Sequence, residues 1–258
     1  MTWWQTIFLS VIQGLTEFLP ISSSGHLVFF QKIFGLKPPV LFDIFVHVGT
    51  LFSIIFFFKK ELMEIVKGLF KKEKKSGRIF WLVLVGTMPA VVVGLFLEKN
   101  INQIFDSLKL VGVSFLITGG LLLSTFWLKQ KTNKDFKRMK WFDTLVVGLF
   151  QAVAILPGIS RSGATLVGGL SRKIKRETNF QLSFFLAIPA ILGALILQTP
   201  QLVNYQSELL NQSLLGMVLA GFVGFVSLKI LKKVLLNSQL WFFSFYCFFL
   251  AILIFTFL

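Results

Sequence analysis

Long apolar runs separated by short polar stretches fill this chain from end to end. The runs fall at roughly 6–35, 40–58, 79–97, 110–128, 144–170, 180–198, 214–231 and 239–257. A helix needs about 20 predominantly apolar residues to cross the hydrocarbon core of a bilayer. The pattern therefore predicts an all-α integral membrane protein that forms a single domain over residues 1–258.

The composition favours a membrane protein over a soluble one. Hydrophobic residues make up 55% of the chain and aromatic residues 16%, and the mean hydropathy is +0.80, far above that of a soluble domain. The first run holds Gln13 and Glu17 and lacks a basic start and a small-residue cleavage site, so we do not expect a signal peptide. A lone cysteine, Cys247, excludes an intramolecular disulfide.

The net charge of +15 is confined to particular loops. Most of the 26 Lys and Arg residues lie in four short stretches, 59–78, 129–140, 171–179 and 229–238. Basic residues in short loops beside apolar helices mark the cytoplasmic side of a membrane. We therefore expect these loops to contact anionic phospholipid, and we expect no nucleic-acid partner.

The run 144–170 is predicted to enter and leave the membrane on the same side. The stretches before and after it, 129–140 and 171–179, are both basic and therefore both cytoplasmic. The run is too short for two crossings, and Pro157 and Gly158 interrupt it in the middle. These features predict a re-entrant helix–loop–helix hairpin, whose loop must be shielded from lipid by protein or water.

A second hairpin of the same kind is predicted in the run 6–35. Three spanning runs separate the two hairpins, so they enter from opposite faces. The predicted architecture is an inverted repeat of about six spanning helices and two re-entrant hairpins, with repeats at approximately 1–130 and 139–258. Inverted repeats with broken helices often frame a site for an ion or an anionic group near the membrane midplane.

The two hairpins carry the same polar motif. The first reads QGLTEFLPISSSGH from Gln13, and the second reads QAVAILPGISRSG from Gln151. Aligned on these glutamines, three positions of the first motif (Ser22, Ser23, Ser24) match three of the second (Ser160, Arg161, Ser162), and Gly25 matches Gly163. Serine hydroxyls, close-approach glycines and helix N-termini together suit a phosphate group. The alternative for the serines is helix capping.

Arg161 is the only Lys or Arg deep inside an apolar run. A buried guanidinium is suited to gripping a phosphate or carboxylate with two parallel hydrogen bonds. The alternative is a structural ion pair with Glu17, the only acid in the opposite hairpin. The sequence favours neither interpretation, and the two are compatible in a resting state.

Four further polar residues lie in or near the first motif. Glu17 is a candidate general base, metal ligand or charge partner, and His26 a candidate for proton transfer, against the alternative of a structural imidazole. Asp43 and His47 lie four residues apart on one helix face. With Gln13 and Glu17 they are candidate metal ligands or supports for them, although a pairing within the helix is the simpler expectation for Asp43 and His47.

These motifs resemble the two signature motifs of bacterial undecaprenyl-diphosphate phosphatases, the bacitracin-resistance family. The resemblance covers essentially the whole chain. Gln13 and Glu17 match the family's first motif in its Gln form, so Gln13 cannot act as an acid or a base, and Ser24 stands where some members have Thr. The resemblance implies hydrolysis of the lipid carrier undecaprenyl diphosphate to the monophosphate at the outer face of the bacterial cytoplasmic membrane, with help from a divalent cation, Mg²⁺ or Ca²⁺.

Combining the resemblance with the residues gives a hypothesis for the chemistry. Arg161 and the loop N–H groups bind phosphate, Ser23 attacks the terminal phosphorus or orients a water, and His26 or Glu17 transfers protons. The competing class is a lipid transporter, because transporters share inverted repeats and re-entrant loops. A membrane scaffold would leave Glu17, His26 and Arg161 unexplained. Homo-oligomerisation is compatible with the sequence.

Overall fold

The computed structural model describes residues 1–36, 40–97, 101–128, 133–198 and 207–257. Its helices, in chain order, are α1 (Trp3–Phe18), α2 (Ser23–Ile33), α3 (Val40–Phe57), α4 (Lys59–Phe70), α5 (Lys74–Leu97), α6 (Ile101–Asp106), α7 (Leu108–Ser124), α8 (Trp141–Val153), α9 (Arg161–Ser171), α10 (Arg176–Gln198), α11 (Ser207–Leu236) and α12 (Phe242–Thr256). Within these ranges there is no β-strand, only an isolated bridge between Lys134 and Ile174. The predicted all-α class is confirmed.

Four helices are long and apolar enough to cross a membrane: α3, α5, α10 and α11. Helices α7, α8 and α12 are apolar but shorter. Large apolar side chains also face outward, among them Phe96, Phe222 and Phe249, which are 81%, 71% and 63% exposed. Apolar surface of this kind is compatible with lipid rather than with water. The chain is therefore a multi-pass membrane protein.

Both motif-bearing runs are interrupted helices. In the first, α1 ends at Phe18 and α2 begins at Ser23, and in the second, α8 ends at Val153 and α9 begins at Arg161. A proline lies in each break, where its missing N–H and fixed φ stop helix propagation. Each new helix begins with a serine cap, Ser22 in one case and Ser160 in the other.

The longest helices hold the broken ones in place through close contacts at glycines. Helix α11 packs against α1 and α3, and α5 packs against α8 and α10. A Cβ atom added to Gly14, on α1, would lie 2.8 Å from the carbonyl oxygen of Ala220 on α11, and one added to Gly148, on α8, would lie against the carbonyl oxygen of Gly86 on α5. Small residues at such crossings let helix backbones approach closely, which is how membrane helices gain packing energy.

The basic stretch 59–78 is more structured than the hydropathy pattern suggests. It contains the whole of α4 and the first residues of α5. Leu62 and Ile65 of α4 pack against the main apolar cluster, which includes Phe58 and Phe180. Hydropathy cannot detect such a helix, because only part of its surface is apolar and five residues of Lys59–Phe70 are charged.

A buried carboxylate joins the loop before α8 to the end of α9. Asp143, with a side chain 1% exposed, accepts hydrogen bonds from Lys134 Nζ at 2.8 Å and from Arg172 Nε at 2.9 Å. It also accepts one from the backbone N–H of Lys140, at the start of α8. Burial alone would raise the pKa of Asp143, but these donors hold the pKa below its ordinary value. These contacts therefore fix the start of α8 to the end of α9.

Candidate active site

The two breaks lie directly against each other. A Cβ atom added to Gly25 would lie 2.8 Å from the Cα of Gly158, and one added to Gly163 would lie 3.3 Å from the Cβ of Pro20. Gly158 has a φ of +94°, a backbone conformation that favours glycine. A hydrogen bond also joins the two breaks, because the Oγ of Ser162 donates to the carbonyl oxygen of Leu19 at 3.3 Å. The two matching motifs, which are far apart in sequence, therefore form one site.

Glu17 is the centre of this site. Its Oε1 accepts a hydrogen bond from Arg161 Nη2 at 2.6 Å, and its Oε2 accepts one from Ser23 Oγ at 2.5 Å. Gln13 Nε2 also donates to Oε2, at 3.2 Å, and His47 Nε2 lies 3.9 Å from the same oxygen. The ion pair between Arg161 and Glu17, one of the two alternatives that the sequence leaves open, is present. Ser23, Gln13 and His47 also lie around this carboxylate.

The serines that precede the two helices act as caps in the same way. Ser22 Oγ accepts a hydrogen bond from Gly25 N at 3.4 Å, and Ser160 Oγ accepts one from Gly163 N at 3.1 Å. The serine two positions further along the chain lies beside each cap. Ser24 Oγ is 3.3 Å from Ser22 Oγ, and Ser162 Oγ is 3.2 Å from Ser160 Oγ. The capping alternative therefore holds for Ser22 and Ser160, and the matched geometry brings two helix N-termini to one place.

Ser23 is the serine set apart from this capping arrangement. It falls between Ser22 and Ser24, and its hydroxyl points to Glu17. Arg161 occupies the matching position in the second motif and reaches the same carboxylate. A hydroxyl hydrogen-bonded to a buried carboxylate is the arrangement of a nucleophile with its base.

His26 is buried beside the first break, and both of its ring nitrogens contact groups other than Glu17. Its Nδ1 lies 2.7 Å from the carbonyl oxygen of Ser22, and its Nε2 lies 2.7 Å from the hydroxyl oxygen of Tyr246 on α12. Both ring nitrogens therefore have partners other than Ser23 and Glu17. This arrangement favours Glu17 as the group that receives the Ser23 proton.

Asp43 is separate from the Glu17 cluster in its contacts. Its carboxylate accepts a hydrogen bond from Gln31 Nε2 at 2.8 Å. His47 Nδ1 lies 2.7 Å from the backbone carbonyl oxygen of Asp43, so the side-chain pair expected between these two residues is not formed. The backbone contact leaves the far side of the His47 ring free to face Glu17.

Two buried atoms of the cluster have no hydrogen-bond partner in the described part of the chain. They are Gln13 Oε1, an acceptor, and Arg161 Nη1, a donor. Buried polar groups are nearly always satisfied, so an unsatisfied one needs a reason. At a site that binds a charged ligand, a free guanidinium donor is available to an anion and a free amide oxygen to a cation.

Two residues that the sequence interpretation missed support the breaks from neighbouring helices. Thr118 Oγ1, on α7, donates to the carbonyl oxygen of Gly158 at 2.8 Å and accepts from Ser160 N at 3.1 Å. Tyr246, on α12, is the partner of His26. Both residues place a hydroxyl inside an apolar run, and this is the sequence feature that could have identified them. A single hydroxyl in an apolar helix is common, however, so this feature is weak evidence for a functional role.

Comparison with known proteins shows which family the chain belongs to. Residues 6–253 match the family described as bacitracin resistance protein BacA. An undecaprenyl-diphosphatase of Thermosipho africanus (strain TCF52B) is 43% identical over 249 residues, which cover 96% of this chain and 98% of the relative. An undecaprenyl-diphosphatase of Methanococcus maripaludis (strain C7) is 39% identical over 257 residues, which cover 98% of this chain and 100% of the relative. The chain belongs to the bacitracin resistance protein BacA family.

Proposed function

We propose that this protein is a phosphatase that hydrolyses undecaprenyl diphosphate to undecaprenyl phosphate and inorganic phosphate. The observation that carries the proposal is the buried carboxylate of Glu17, which joins the hydroxyl of Ser23 in one break to the guanidinium of Arg161 in the other. A nucleophile, a base and an anion-binding group thus converge at two helix N-termini. The printed names of the relatives, undecaprenyl-diphosphatase, supply the substrate.

The chemical step begins at Ser23. Its Oγ attacks the terminal phosphorus of the diphosphate while Glu17 accepts the hydroxyl proton. A bond forms between Oγ and phosphorus, the bridging P–O bond breaks, and undecaprenyl phosphate leaves. A water then attacks the phosphorus of the phosphoserine, the bond between Oγ and phosphorus breaks, and Glu17 returns its proton to Oγ. This step releases inorganic phosphate and restores both the Ser23 hydroxyl and the Glu17 carboxylate. Such in-line transfers depend on positioning and on charge stabilisation.

Arg161 stabilises the charge of the reacting phosphoryl group. In the resting site its Nη2 is paired with Glu17, while Nη1 is buried without a partner. A phosphate oxygen that binds Nη1 completes the donor set of the guanidinium. Drawing the guanidinium toward phosphate weakens its pairing with Glu17, and the carboxylate becomes a better base at the moment when Ser23 must lose its proton. The N-termini of α2 and α9 add positive potential.

A divalent cation fits the donors present. The carboxylate of Glu17 and the unpartnered Oε1 of Gln13 are oxygen ligands of the kind that Mg²⁺ and Ca²⁺ prefer. No group of three or more His, Cys, Asp and Glu side chains suited to a metal occurs in the described ranges, so Glu17 and Gln13 are the residues that would hold the ion. When bound, the ion supplies charge neutralisation of the diphosphate.

The proposal includes the predicted membrane arrangement. Six spanning helices and two re-entrant hairpins form two inverted repeats of one domain, at approximately 1–130 and 139–258. The paired contacts support it, because α11 of the second half packs on α1 and α3, while α5 of the first half packs on α8 and α10. The polar site is then open to the outer face, opposite the basic loops.

The biological consequence follows from the family. Returning the lipid carrier to its monophosphate form lets it serve another round of wall-polymer export. Removing the diphosphate form takes away the target of bacitracin, which accounts for the description of the family as a bacitracin resistance protein. The natural location is the bacterial cytoplasmic membrane.

Comparison of two serine variants tests the proposal. We expect purified Ser23→Ala to lose nearly all release of phosphate from undecaprenyl diphosphate, at least about 10³-fold, because no other group replaces the nucleophile. Ser171→Ala is the matched control, since its exposed hydroxyl at the end of α9 contacts only the carbonyl oxygen of Gly168. Normal turnover by a folded Ser23→Ala protein would contradict the covalent route.

A further inference from the structure

The imidazole of His26 is held in one protonation form by its two partners. Its Nδ1 faces the carbonyl oxygen of Ser22 at 2.7 Å, and a carbonyl oxygen can only accept a hydrogen bond. Nδ1 therefore carries the hydrogen. Its Nε2, 2.7 Å from the Tyr246 hydroxyl, accepts the hydrogen that the phenol donates.

The surroundings of the ring favour this neutral form. His26 is fully buried, its ring lies nearly parallel to that of Tyr246 with an interplanar angle of 6° and ring centroids 5.7 Å apart, and it packs edge-on against Phe115. No acidic side chain in the described part of the chain hydrogen-bonds to the ring, and a buried charge without a partner is strongly disfavoured. The neighbouring titratable group on α12, Cys247, is itself fully buried.

The backbone that His26 holds is strained. Ser22 has a φ of +66°, in the left-handed region that residues with a side chain seldom occupy. Such a conformation persists only where the surrounding structure fixes it. The His26 ring fixes the Ser22 carbonyl, and the backbone N–H of His26 donates to the same oxygen at 3.3 Å. Ser22 directly precedes Ser23, so its orientation sets where the Ser23 hydroxyl lies.

We propose that Tyr246 is a positioning residue for the reaction. By donating to Nε2 it keeps His26 in the Nδ1–H form, His26 holds the strained Ser22 carbonyl, and Ser22 aims Ser23 at Glu17 and the substrate. In this arrangement His26 is also a positioning residue and does not exchange protons with Ser23. The proposal rests on the proposed function for its effect on turnover, but the hydrogen-bond relay itself is independent of it.

Nitrogen NMR of the two histidines tests the relay without any substrate. The chain contains only His26 and His47, so ¹⁵N-histidine labelling gives two rings, and a His47→Gln variant assigns them. We expect the His26 signals of a neutral ring protonated at Nδ1. In Tyr246→Phe we expect the Nε2 signal to move toward that of a free acceptor. Protonation of Nε2 in the unaltered protein, or an unchanged Nε2 signal in Tyr246→Phe, would overturn the proposal.

Turnover supplies the second measurement. Tyr246→Phe should lower kcat about tenfold with little change in KM, because one neutral hydrogen bond is lost at His26 and the phosphate-binding groups, Arg161 and the loop N–H groups, are unchanged. Thr256→Val is the control, since it removes an exposed hydroxyl from the same helix. Equal kcat values for Tyr246→Phe and the unaltered protein would contradict the positioning role. Absence of phosphatase activity in the unaltered protein would instead contradict the proposed function. The NMR measurement would still test the hydrogen-bond relay.

Replacement of His26 separates positioning from proton transfer. Glutamine offers one donor and one acceptor but does not titrate, so His26→Gln can bind both Ser22 and Tyr246. We expect His26→Gln to retain at least about tenfold more kcat than His26→Ala, the effect of keeping hydrogen bonds at a strained loop. Equal loss in the two variants would show that the imidazole itself exchanges protons, and the positioning role would be wrong.

Discussion

The contacts of Arg161 are compatible with both of the roles that the sequence leaves open. This residue is an ion-pair partner of Glu17 through Nη2, and it retains a buried, unsatisfied Nη1. A residue with a purely structural role would be expected to have all its donors satisfied. The free donor therefore favours a resting pair that opens to bind phosphate. The planar guanidinium, with its donors fixed in a fork, is suited to contact two anions at once.

A conservative replacement of Arg161 tests this dual role. Arg161→Lys retains the charge and can pair with Glu17, but its single ammonium cannot also hold phosphate with the same geometry. We expect kcat/KM to fall at least about 10²-fold while the melting temperature changes little. Arg172→Lys is the control at the other end of α9, where the arginine binds Asp143. Similar kcat/KM values for both variants would contradict a phosphate-binding role for Arg161.

The sequence indicates which residues belong to the candidate site, but it indicates only some of the contacts that these residues make. Glu17 and Arg161 stand out because a charge inside an apolar run needs a partner, and each motif offers only one. The use of His26 could not be predicted in this way. Its partner Tyr246 lies 220 positions away on the last helix. Asp43 was placed with His47 on helical spacing alone, whereas its carboxylate turns to Gln31 on another helix.

At the scale of helices, the site depends on close contact between the two helix breaks, at Gly25 in the first and Gly158 in the second. Gly25 at the start of α2 lies against the Cα of Gly158 and the ring of Phe115. The glycine contact is backbone against backbone, so it cannot be relieved by a side-chain rotation. This contact explains why two loops far apart in sequence form a single site, and it determines how accurately Ser23 and Arg161 meet at Glu17.

Substitution of Gly25 tests the contact between the breaks. A methyl group there would lie 2.8 Å from the Cα of Gly158, so Gly25→Ala must push the loops apart. We expect loss of at least about 1–3 kcal/mol of stability from overpacking, with a near-total loss of phosphate release. Gly120→Ala is the control, because nothing lies within 4 Å of the added methyl. Measurement of melting temperature and phosphate release checks both, and a Gly25→Ala protein that behaves as Gly120→Ala does would contradict this packing.

The helix breaks were the most predictable elements and the peripheral helices the least. Pro20 and the Pro157-Gly158 pair stop helices for local reasons that sequence shows directly, and Ser22 and Ser160 cap the helices that follow. Helix α4 was not predicted, because its stability comes from packing Leu62 and Ile65 on a core built from distant segments. The length of α11, 30 residues, likewise exceeds its apolar run, since a helix continues beyond the bilayer.

The molecule as a whole has polar side chains buried in its interior and an outer surface that is largely apolar. The outward surface carries large apolar side chains, while Glu17, Gln13 and Ser23 are buried beside the two helix breaks. A lipid with a charged headgroup suits this arrangement, since its headgroup can occupy the polar centre while its chain remains in the membrane. A lipid transporter would share these features. The two functions differ in whether a P–O–P bond is broken.

The most direct measurement is phosphate release from undecaprenyl diphosphate by the purified protein, with undecaprenyl phosphate as the control substrate. We expect one inorganic phosphate per diphosphate, none from the monophosphate, and loss of release when a chelator removes divalent cations. Release that continues in the presence of the chelator would support the phosphatase but contradict the need for a cation. A folded protein that binds the diphosphate lipid without releasing phosphate would contradict hydrolysis and favour the transporter.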